Sequence, residues 1–255
     1  MLRRWSLVLL STLLLLSLAH QARAQVAVAA ASDLQTVMPE IVSRFQGAGG
    51  QLVRVSFGSS GQFVSQIQNG APFDVFLSAD DAYVAQLVES GHAVRSSVVE
   101  YAEGQLAMFT RRDSGIDISR GLSALADPKV RRIALANPQH APYGRAAISA
   151  LKGAGIYDRV RTRLVLGENV SQAAQFAQTG NADVGLVALA LTRAPAMQNG
   201  GISLEVPPEL YPPIRQTGAV LTRSNQKDIA GRFLTFLESS EVATLLRSSG
   251  FGVAR

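Results

Sequence analysis

The sequence predicts an α/β protein with two lobes, each built on a mixed, mostly parallel sheet flanked by helices. Short apolar runs alternate with segments of helical spacing, and this alternation restarts near residue 105 after a first series. Two serine-containing segments, at 30–34 and 57–62, each lie where an apolar run ends and a helical pattern begins. We therefore expect two facing sheets with polar groups at the strand ends.

The first series of elements lies between residues 26 and 90. Strands are predicted at 26–31, 51–57 and 73–77, and helices at 34–45, 63–68 and 81–90. In the helix at 34–45, apolar residues recur every three or four positions, which is the helical period. The helix at 81–90 is expected to end at Gly91, because glycine readily adopts the left-handed conformation that closes a helix.

The second series runs from residue 105 to the C-terminal region. Strands are predicted at 105–110, 133–136, 163–166 and 214–221, helices at 143–153, 170–178 and 229–246, and a strand or strand-to-helix passage at 184–191. The Pro-rich stretch 206–213 is typical of a surface connector. We expect the chain to cross between lobes near residues 102 and 212. Residues 25–101 plus 212–255 then form the first lobe, and 102–211 form the second.

The N-terminal segment has the order of a secretory signal peptide. Arg3 and Arg4 precede an apolar stretch at 5–18, and the small-residue sequence Ala22-Arg-Ala24 follows it. A permanent anchor is the alternative, but the apolar stretch is shorter than the ~20 residues that a spanning helix needs. We therefore assign residues 1–24 to a signal peptide and expect the mature protein in the periplasm.

Charge and cysteine content exclude several classes of function. Removing Arg3, Arg4 and Arg23 from the 24 Lys plus Arg leaves 21 against 19 acids, a mature balance of +2. That balance gives no electrostatic case for binding nucleic acid. The chain has no cysteine, so neither disulfides nor thiolate metal sites are available. The fold must be stabilised by its apolar core, and we expect a monomer.

The two serine-containing segments place hydroxyl groups at helix starts. The first N–H groups of a helix have no partner within it, and the helix dipole adds partial positive charge there, which suits an oxyanion. Taken alone, Ser32 or Ser60 is more simply a helix cap. On the predicted topology, however, Ser32, Ser60 and Tyr143 all follow the carboxyl ends of strands, where open parallel sheets bind ligands.

Four motifs together resemble the periplasmic molybdate-binding proteins of ABC transporters. They are Ala29-Ala-Ala-Ser32, Phe57-Gly-Ser-Ser60, Gly70-Ala-Pro-Phe-Asp-Val-Phe-Leu-Ser-Ala-Asp80 and Asn137-Pro-Gln-His-Ala-Pro-Tyr-Gly-Arg-Ala146. The resemblance covers nearly all of the mature chain. It implies a type II periplasmic binding fold that closes on molybdate or tungstate in the interlobe cleft and delivers the anion to a membrane-embedded permease.

The resemblance also implies the ligand-binding residues. They are the hydroxyls of Ser32, Ser60 and Tyr143 and the backbone N–H groups of Asp33 and Val170. Some family members carry a ligand-binding tyrosine where this chain has Ala188, so we assign the phenolic hydrogen bond to Tyr143. An inward Asp33 carboxylate would repel the anion, and we expect that side chain to point toward solvent.

Other functions remain as alternatives. Sulfate and phosphate share the tetrahedral shape, and the sequence does not separate them from molybdate. A serine hydrolase using Ser60 is a weaker interpretation, because the G-x-S-x-G elbow and a downstream Asp–His order are missing. Asp80 and Asp81 fit a helix start better than a cation site. Arg145 is predicted at an exposed helix position, and we predict no catalytic residue and no cofactor.

Overall fold

A computed structural model describes residues 25–252 of the chain. The predicted signal peptide, residues 1–24, lies outside the described residues. Strands β1 (Gln25–Ala31), β2 (Leu52–Gly58), β3 (Val75–Ser78), β4 (Val99–Gly104) and β10 (Ile214–Val220) form the first sheet, in the order β2-β1-β3-β10-β4. The central pairs β1–β2 and β1–β3 are parallel, whereas β10 runs antiparallel to both of its neighbours.

The second sheet repeats this plan with later segments of the chain. It contains β5 (Leu106–Arg111), β6 (Ile133–Ala136), β7 (Leu164–Gly167), β8 (Val184–Ala188) and β9 (Gly201–Glu205), in the order β7-β6-β8-β5-β9. Strand β6 is parallel to both β7 and β8, and β5 is antiparallel to β8 and β9. The prediction of two mixed, mostly parallel sheets is therefore confirmed.

Helices cover both sheets and account for most of the predicted helical segments. They are α1 (Met38–Gly47), α2 (Ser60–Gln68), α3 (Asp81–Glu89), α4 (Pro142–Gly153), α5 (Tyr157–Val160), α6 (Val170–Gln178), α7 (Leu189–Thr192), α8 (Pro195–Gly200), α9 (Lys227–Leu237) and α10 (Ser240–Ser248). A 3₁₀ turn, Ser32–Thr36, precedes α1. For the segment 184–191, a strand or a strand-to-helix passage was predicted, and the structure has a strand that passes into a helix.

Three details of the predicted elements are wrong. The closing helix at 229–246 is two helices, because the Ser239 hydroxyl accepts the N–H of Val242 at 3.3 Å and starts α10. The helix predicted from residue 34 starts at Met38, next to Pro39, which favours the first turn. Strands β4 and β9 were not predicted. Both lie at sheet edges and carry charged residues, which weakens their apolar signal.

Burial follows the position of each strand in its sheet. Every residue of β3, β6 and β8 is buried, as expected for parallel strands covered on both faces. Edge strand β2 instead alternates between exposed and half-buried residues at most positions. Among the described residues, no helix is long and apolar enough to cross a membrane.

The chain passes between the sheets at two places. Strand β4 ends at Gly104 in the first sheet, and β5 begins at Leu106 in the second, so one residue, Gln105, separates them. The return passage lies between the end of β9 at Glu205 and the start of β10 at Ile214. These two passages are short enough to act as a hinge between the lobes.

Candidate functional site

A small cavity lies between the two sheets at the carboxyl ends of their parallel strands. Its lining consists of Ala31, Ser32, Asp33, Gly58, Ser59, Ser60, Ala79, Ala141, Pro142, Tyr143, Asn169 and Val170. The first lobe supplies the residues that follow β1, β2 and β3, and the second supplies those that follow β6 and β7. All five residues predicted for the site therefore come together. The cavity holds about 10 Å³, the room of roughly one water, so the lobes must part to admit an anion.

Helix starts from both lobes converge on this cavity. The 3₁₀ turn begins at Ser32 and α2 at Ser60 in the first lobe, while α4 begins at Pro142 and α6 at Val170 in the second. The opening N–H groups of these helices have no intrahelical partner, and their dipoles point positive ends toward the cavity. The backbone N–H of Val170, the first residue of α6, is one of these groups. The result is positive potential without a cation.

The two serine hydroxyls are arranged to donate hydrogen bonds. Ser60 Oγ accepts the N–H of Ala79 at 3.1 Å, and Ser32 Oγ accepts the N–H of Ser171 at 3.3 Å. Both serines are at most 3% exposed. Because each oxygen already accepts a backbone N–H, each hydroxyl hydrogen remains free to donate to a ligand in the cavity.

Tyr143 adds a third hydroxyl from the second lobe. It lies in the first turn of α4 and is 2% exposed, and its hydroxyl has no hydrogen-bond partner. Burial raises the pKa of Tyr143 well above its usual value, so the phenol stays a neutral donor. Gly104, at the passage between the lobes, makes room for this group, because a Cβ there would overlap the Tyr143 hydroxyl.

The sequence led us to expect that the Asp33 side chain points toward solvent, and this expectation is wrong. The side chain is fully buried against the cavity, and Gln216 Nε2 donates a 2.7 Å hydrogen bond to its Oδ2. Burial raises the pKa of Asp33 to about 6, although the nearby Tyr143 hydroxyl and the hydrogen bond from Gln216 lower it in part. The expectation failed because Gln216, a polar residue inside β10, provides a buried donor for the carboxyl.

Side chains on both sides of the cleft also bond to each other. Ser59 Oγ lies 2.5 Å from the carbonyl oxygen of His140 and 2.9 Å from His140 Nδ1. A carbonyl only accepts, so the serine hydrogen must point to it, and the imidazole does not take that proton. Ser60 bonds instead to Ala79. Neither serine is therefore paired with a general base as a hydrolase requires.

Arg145 makes a second contact across the cleft. Its predicted position on a helix is confirmed, although the residue is only partly exposed and its guanidinium bonds to the other lobe. It projects from α4 and donates to the Tyr83 hydroxyl at 3.0 Å and to the Asp80 carboxylate. The guanidinium also lies 5.1 Å from the centre of the Tyr83 ring. The side chain is 38% exposed. Asp80 also caps α3 by accepting the N–H of Ala82 at 2.9 Å. Arg145 thus joins the second lobe to the start of a first-lobe helix.

Apart from the Asp33 carboxyl, the polar groups assigned to the site are hydrogen-bond donors. Within residues 25–252, no cluster of three or more His, Asp or Glu side chains is placed to hold a metal ion. The groups that sequence reasoning missed are Ser59, His140 and Gln216. Their partners are 81 or more residues away along the chain, so no local pattern reveals the pairs. The buried polar Gln216 in a predicted strand was the one available signal.

Comparison with known proteins decides the family. Residues 26–252 match the family model described as bacterial extracellular solute-binding protein. The chain belongs to this family. This solute-binding protein is similar to the molybdate-binding protein ModA of Azotobacter vinelandii, and the two sequences are 37% identical over 239 residues, 94% of each chain.

Two further comparisons agree. The molybdate-binding protein ModA of Rhodobacter capsulatus is 39% identical over 231 residues, which are 90% of this chain and 89% of that one. The solved periplasmic molybdate-binding protein of Azotobacter vinelandii has a TM-score of 0.84 at 31% identity, covering 90% of this chain and 100% of its own. The resemblance to this family that the four motifs indicate is thereby confirmed.

Proposed function

We propose that this solute-binding protein captures molybdate in the periplasm and delivers it to the membrane-embedded permease of an ABC transporter. The observation that carries the proposal is a buried cavity in which hydroxyl donors from both lobes meet four helix starts. Its relatives in Azotobacter vinelandii and Rhodobacter capsulatus are named molybdate-binding proteins. Tungstate, with the same charge and shape, belongs to the same proposal.

The proposed contacts match the chemistry of a tetrahedral dianion. Such an anion offers only acceptor oxygens, so it needs a shell of donors. We assign these to the hydroxyls of Ser32, Ser60 and Tyr143 and to the backbone N–H groups of Asp33 and Val170. Every contact goes to an oxygen of the anion, so no residue ligates the metal. Helix dipoles offset the charge, and the anion can leave more easily than from a lysine or arginine pair.

Binding and closure are coupled in this proposal. With the passages between the lobes at Gln105 and at 206–213, the first lobe carries β1 to β4 and β10 and the second carries β5 to β9, and the anion contacts both. It therefore binds the closed form better than the open one and shifts the equilibrium toward closure. A closed monomer is the form that the permease recognises. The protein carries the anion and has no catalytic activity.

Titration calorimetry with molybdate, tungstate, sulfate and phosphate at one pH tests this function. We expect molybdate and tungstate to bind with similar affinity and sulfate and phosphate to bind at least tenfold more weakly. Sulfate binding as tight as molybdate would overturn the molybdate assignment. Assays with ester substrates serve as a control for the hydrolase alternative, and turnover that disappears in Ser60→Ala would support that alternative instead.

A further inference from the structure

A buried carboxyl group lies beside the proposed oxyanion site without a positive partner. Asp33 is 0% exposed and lines the cavity. The ion pairs formed within residues 25–252 do not include it. An ionised carboxylate there would face a bound dianion in a medium of low dielectric, which is strongly unfavourable. The proposed site, whose other polar groups are hydrogen-bond donors, therefore contains one side chain that can carry the same negative charge as the anion.

Two polar atoms beside the cavity lack hydrogen-bond partners. Asp33 Oδ1 and the Tyr143 hydroxyl are both buried and unbonded, although the other carboxyl oxygen, Oδ2, accepts from Gln216. The Tyr143 hydroxyl lies near enough to Asp33 for the carboxylate charge to raise the pKa of the phenol. A tyrosine hydroxyl has one hydrogen to donate. Asp33 and a bound anion therefore compete for the same hydrogen.

The groups that face Asp33 come from three elements. Tyr143 reaches it from α4 and Gln216 from β10, and Tyr101 of β4 interacts with its charge and bonds to Gln216 at 3.3 Å. Both tyrosines are buried, and burial raises their pKa values well above the usual range, so neither ionises near neutral pH. Asp33 is the group in this cluster that can change charge. Outside this cluster, His140 Nδ1 lies 2.9 Å from the Oγ of Ser59, which lines the cavity, and Glu168 lies 3.9 Å from His140 Nε2.

We propose that Asp33 takes up a proton from solvent when the anion binds, so that the site captures the dianion together with one proton. This inference rests on the proposed oxyanion function. In the bound state the new O–H of Asp33 donates to the Tyr143 oxygen, and the Tyr143 hydrogen donates to the anion. In the ligand-free state at neutral pH, Asp33 is ionised and the tyrosine hydrogen turns toward it. Asp33 is thus a positioning residue that acts through Tyr143.

The pH range of this effect follows from the raised pKa of Asp33, about 6 in the ligand-free protein. Above that pH the carboxyl must gain a proton during binding, and below it the proton is already present. Linkage then makes molybdate affinity fall about tenfold for each unit of pH rise above neutrality and level off below about pH 6. Molybdate itself remains a dianion over the range in which the affinity falls.

Calorimetry with sodium molybdate in buffers of different ionisation enthalpy measures the proton uptake directly. For the wild type we expect close to one proton per anion near pH 8. Asp33→Asn places a permanent amide donor against the Tyr143 oxygen, so its uptake should be near zero and its affinity nearly independent of pH. The control Asp158→Asn alters a carboxylate that is 93% exposed, and it should keep the wild-type uptake.

The outcomes separate this inference from the function on which it rests. Molybdate binding by the wild type without proton uptake overturns the role of Asp33 and leaves the function standing. Proton uptake that persists in Asp33→Asn also overturns it, because the proton then binds elsewhere in the protein. Failure of the wild type to bind molybdate at any pH overturns both proposals. The wild-type titration decides the question alone if the variant does not fold.

Discussion

At the residue scale, Ser32 and Ser60 are central to the proposed binding. Each hydroxyl oxygen accepts a backbone N–H, and the hydroxyl hydrogen is left to donate to the anion. We expect Ser60→Ala to weaken molybdate binding by roughly ten- to a hundredfold, since a hydrogen bond to a charged group contributes about 1.5–3 kcal/mol. The matched control is Ser65→Ala, an exposed position on the same helix. Calorimetry that finds equal affinities for the two variants would remove Ser60 from the site.

Tyr143 gives a second test at this scale, because its hydroxyl has no partner in the protein. Tyr143→Phe keeps the ring and deletes the donor. Molybdate affinity should fall by a similar factor, while the urea midpoint of the ligand-free protein, measured near pH 5 where Asp33 is mostly protonated, should change little. A large loss of stability with unchanged affinity would mean that the hydroxyl serves the fold instead of the anion.

The raised pKa of Asp33 makes the stability of the folded protein depend on pH. Its pKa is raised from 3.8 to about 6 in the folded protein, so the folded state holds its proton more tightly than the unfolded chain does. The contribution of Asp33 is therefore most favourable below about pH 4, declines as pH rises to about 6 and stays constant above. The total decline is about 3 kcal/mol.

Urea unfolding of ligand-free protein between about pH 4.5 and pH 8 measures this contribution. Asp33→Asn should be more stable than the wild type at pH 8, and the difference should shrink as the pH falls. A variant that is less stable than the wild type at pH 8 would show that the ionised carboxylate is stabilising, which contradicts the raised pKa.

At the element scale, Arg145 joins the first turn of α4 to the start of α3 through Asp80 and Tyr83. The pair is partly exposed, so it stabilises the closed state by about 0.5–1 kcal/mol. Arg145→Gln should speed molybdate release about two- to fivefold in stopped-flow experiments and change the association rate little. Arg161→Gln removes a surface pair within one segment and provides the control. Equal release rates in both variants would exclude a role of Arg145 in closure.

The element scale also shows what the sequence can predict. Buried strands such as β6 and helix starts such as Ser60 leave local patterns, so most of the elements could be predicted. The five predicted site residues, which all line the cavity, came from the resemblance of the four motifs. The Gln216–Asp33 and Arg145–Asp80 contacts join residues 183 and 65 positions apart. No local spacing encodes such pairs, and for that reason the direction of the Asp33 side chain was predicted wrongly and the partners of Arg145 were not predicted.

At the scale of the whole molecule, two sheets with the same plan place their parallel strand ends on opposite sides of one cavity. Within residues 25–252, the backbone passes between them near Gln105 and at 206–213. Such an arrangement allows a rigid-body opening that leaves each sheet intact, because few backbone bonds cross the hinge. It also explains how an anion can enter a cavity that has room for about one water when closed.

A crystal structure of the protein with molybdate tests the central claim most directly, because anomalous scattering locates the metal. We predict one anion in the interlobe cavity, with its oxygens within hydrogen-bond distance of Ser32 Oγ, Ser60 Oγ, the Tyr143 hydroxyl and the Val170 N–H. An anion bound elsewhere, or one that contacts a single lobe, would contradict the account.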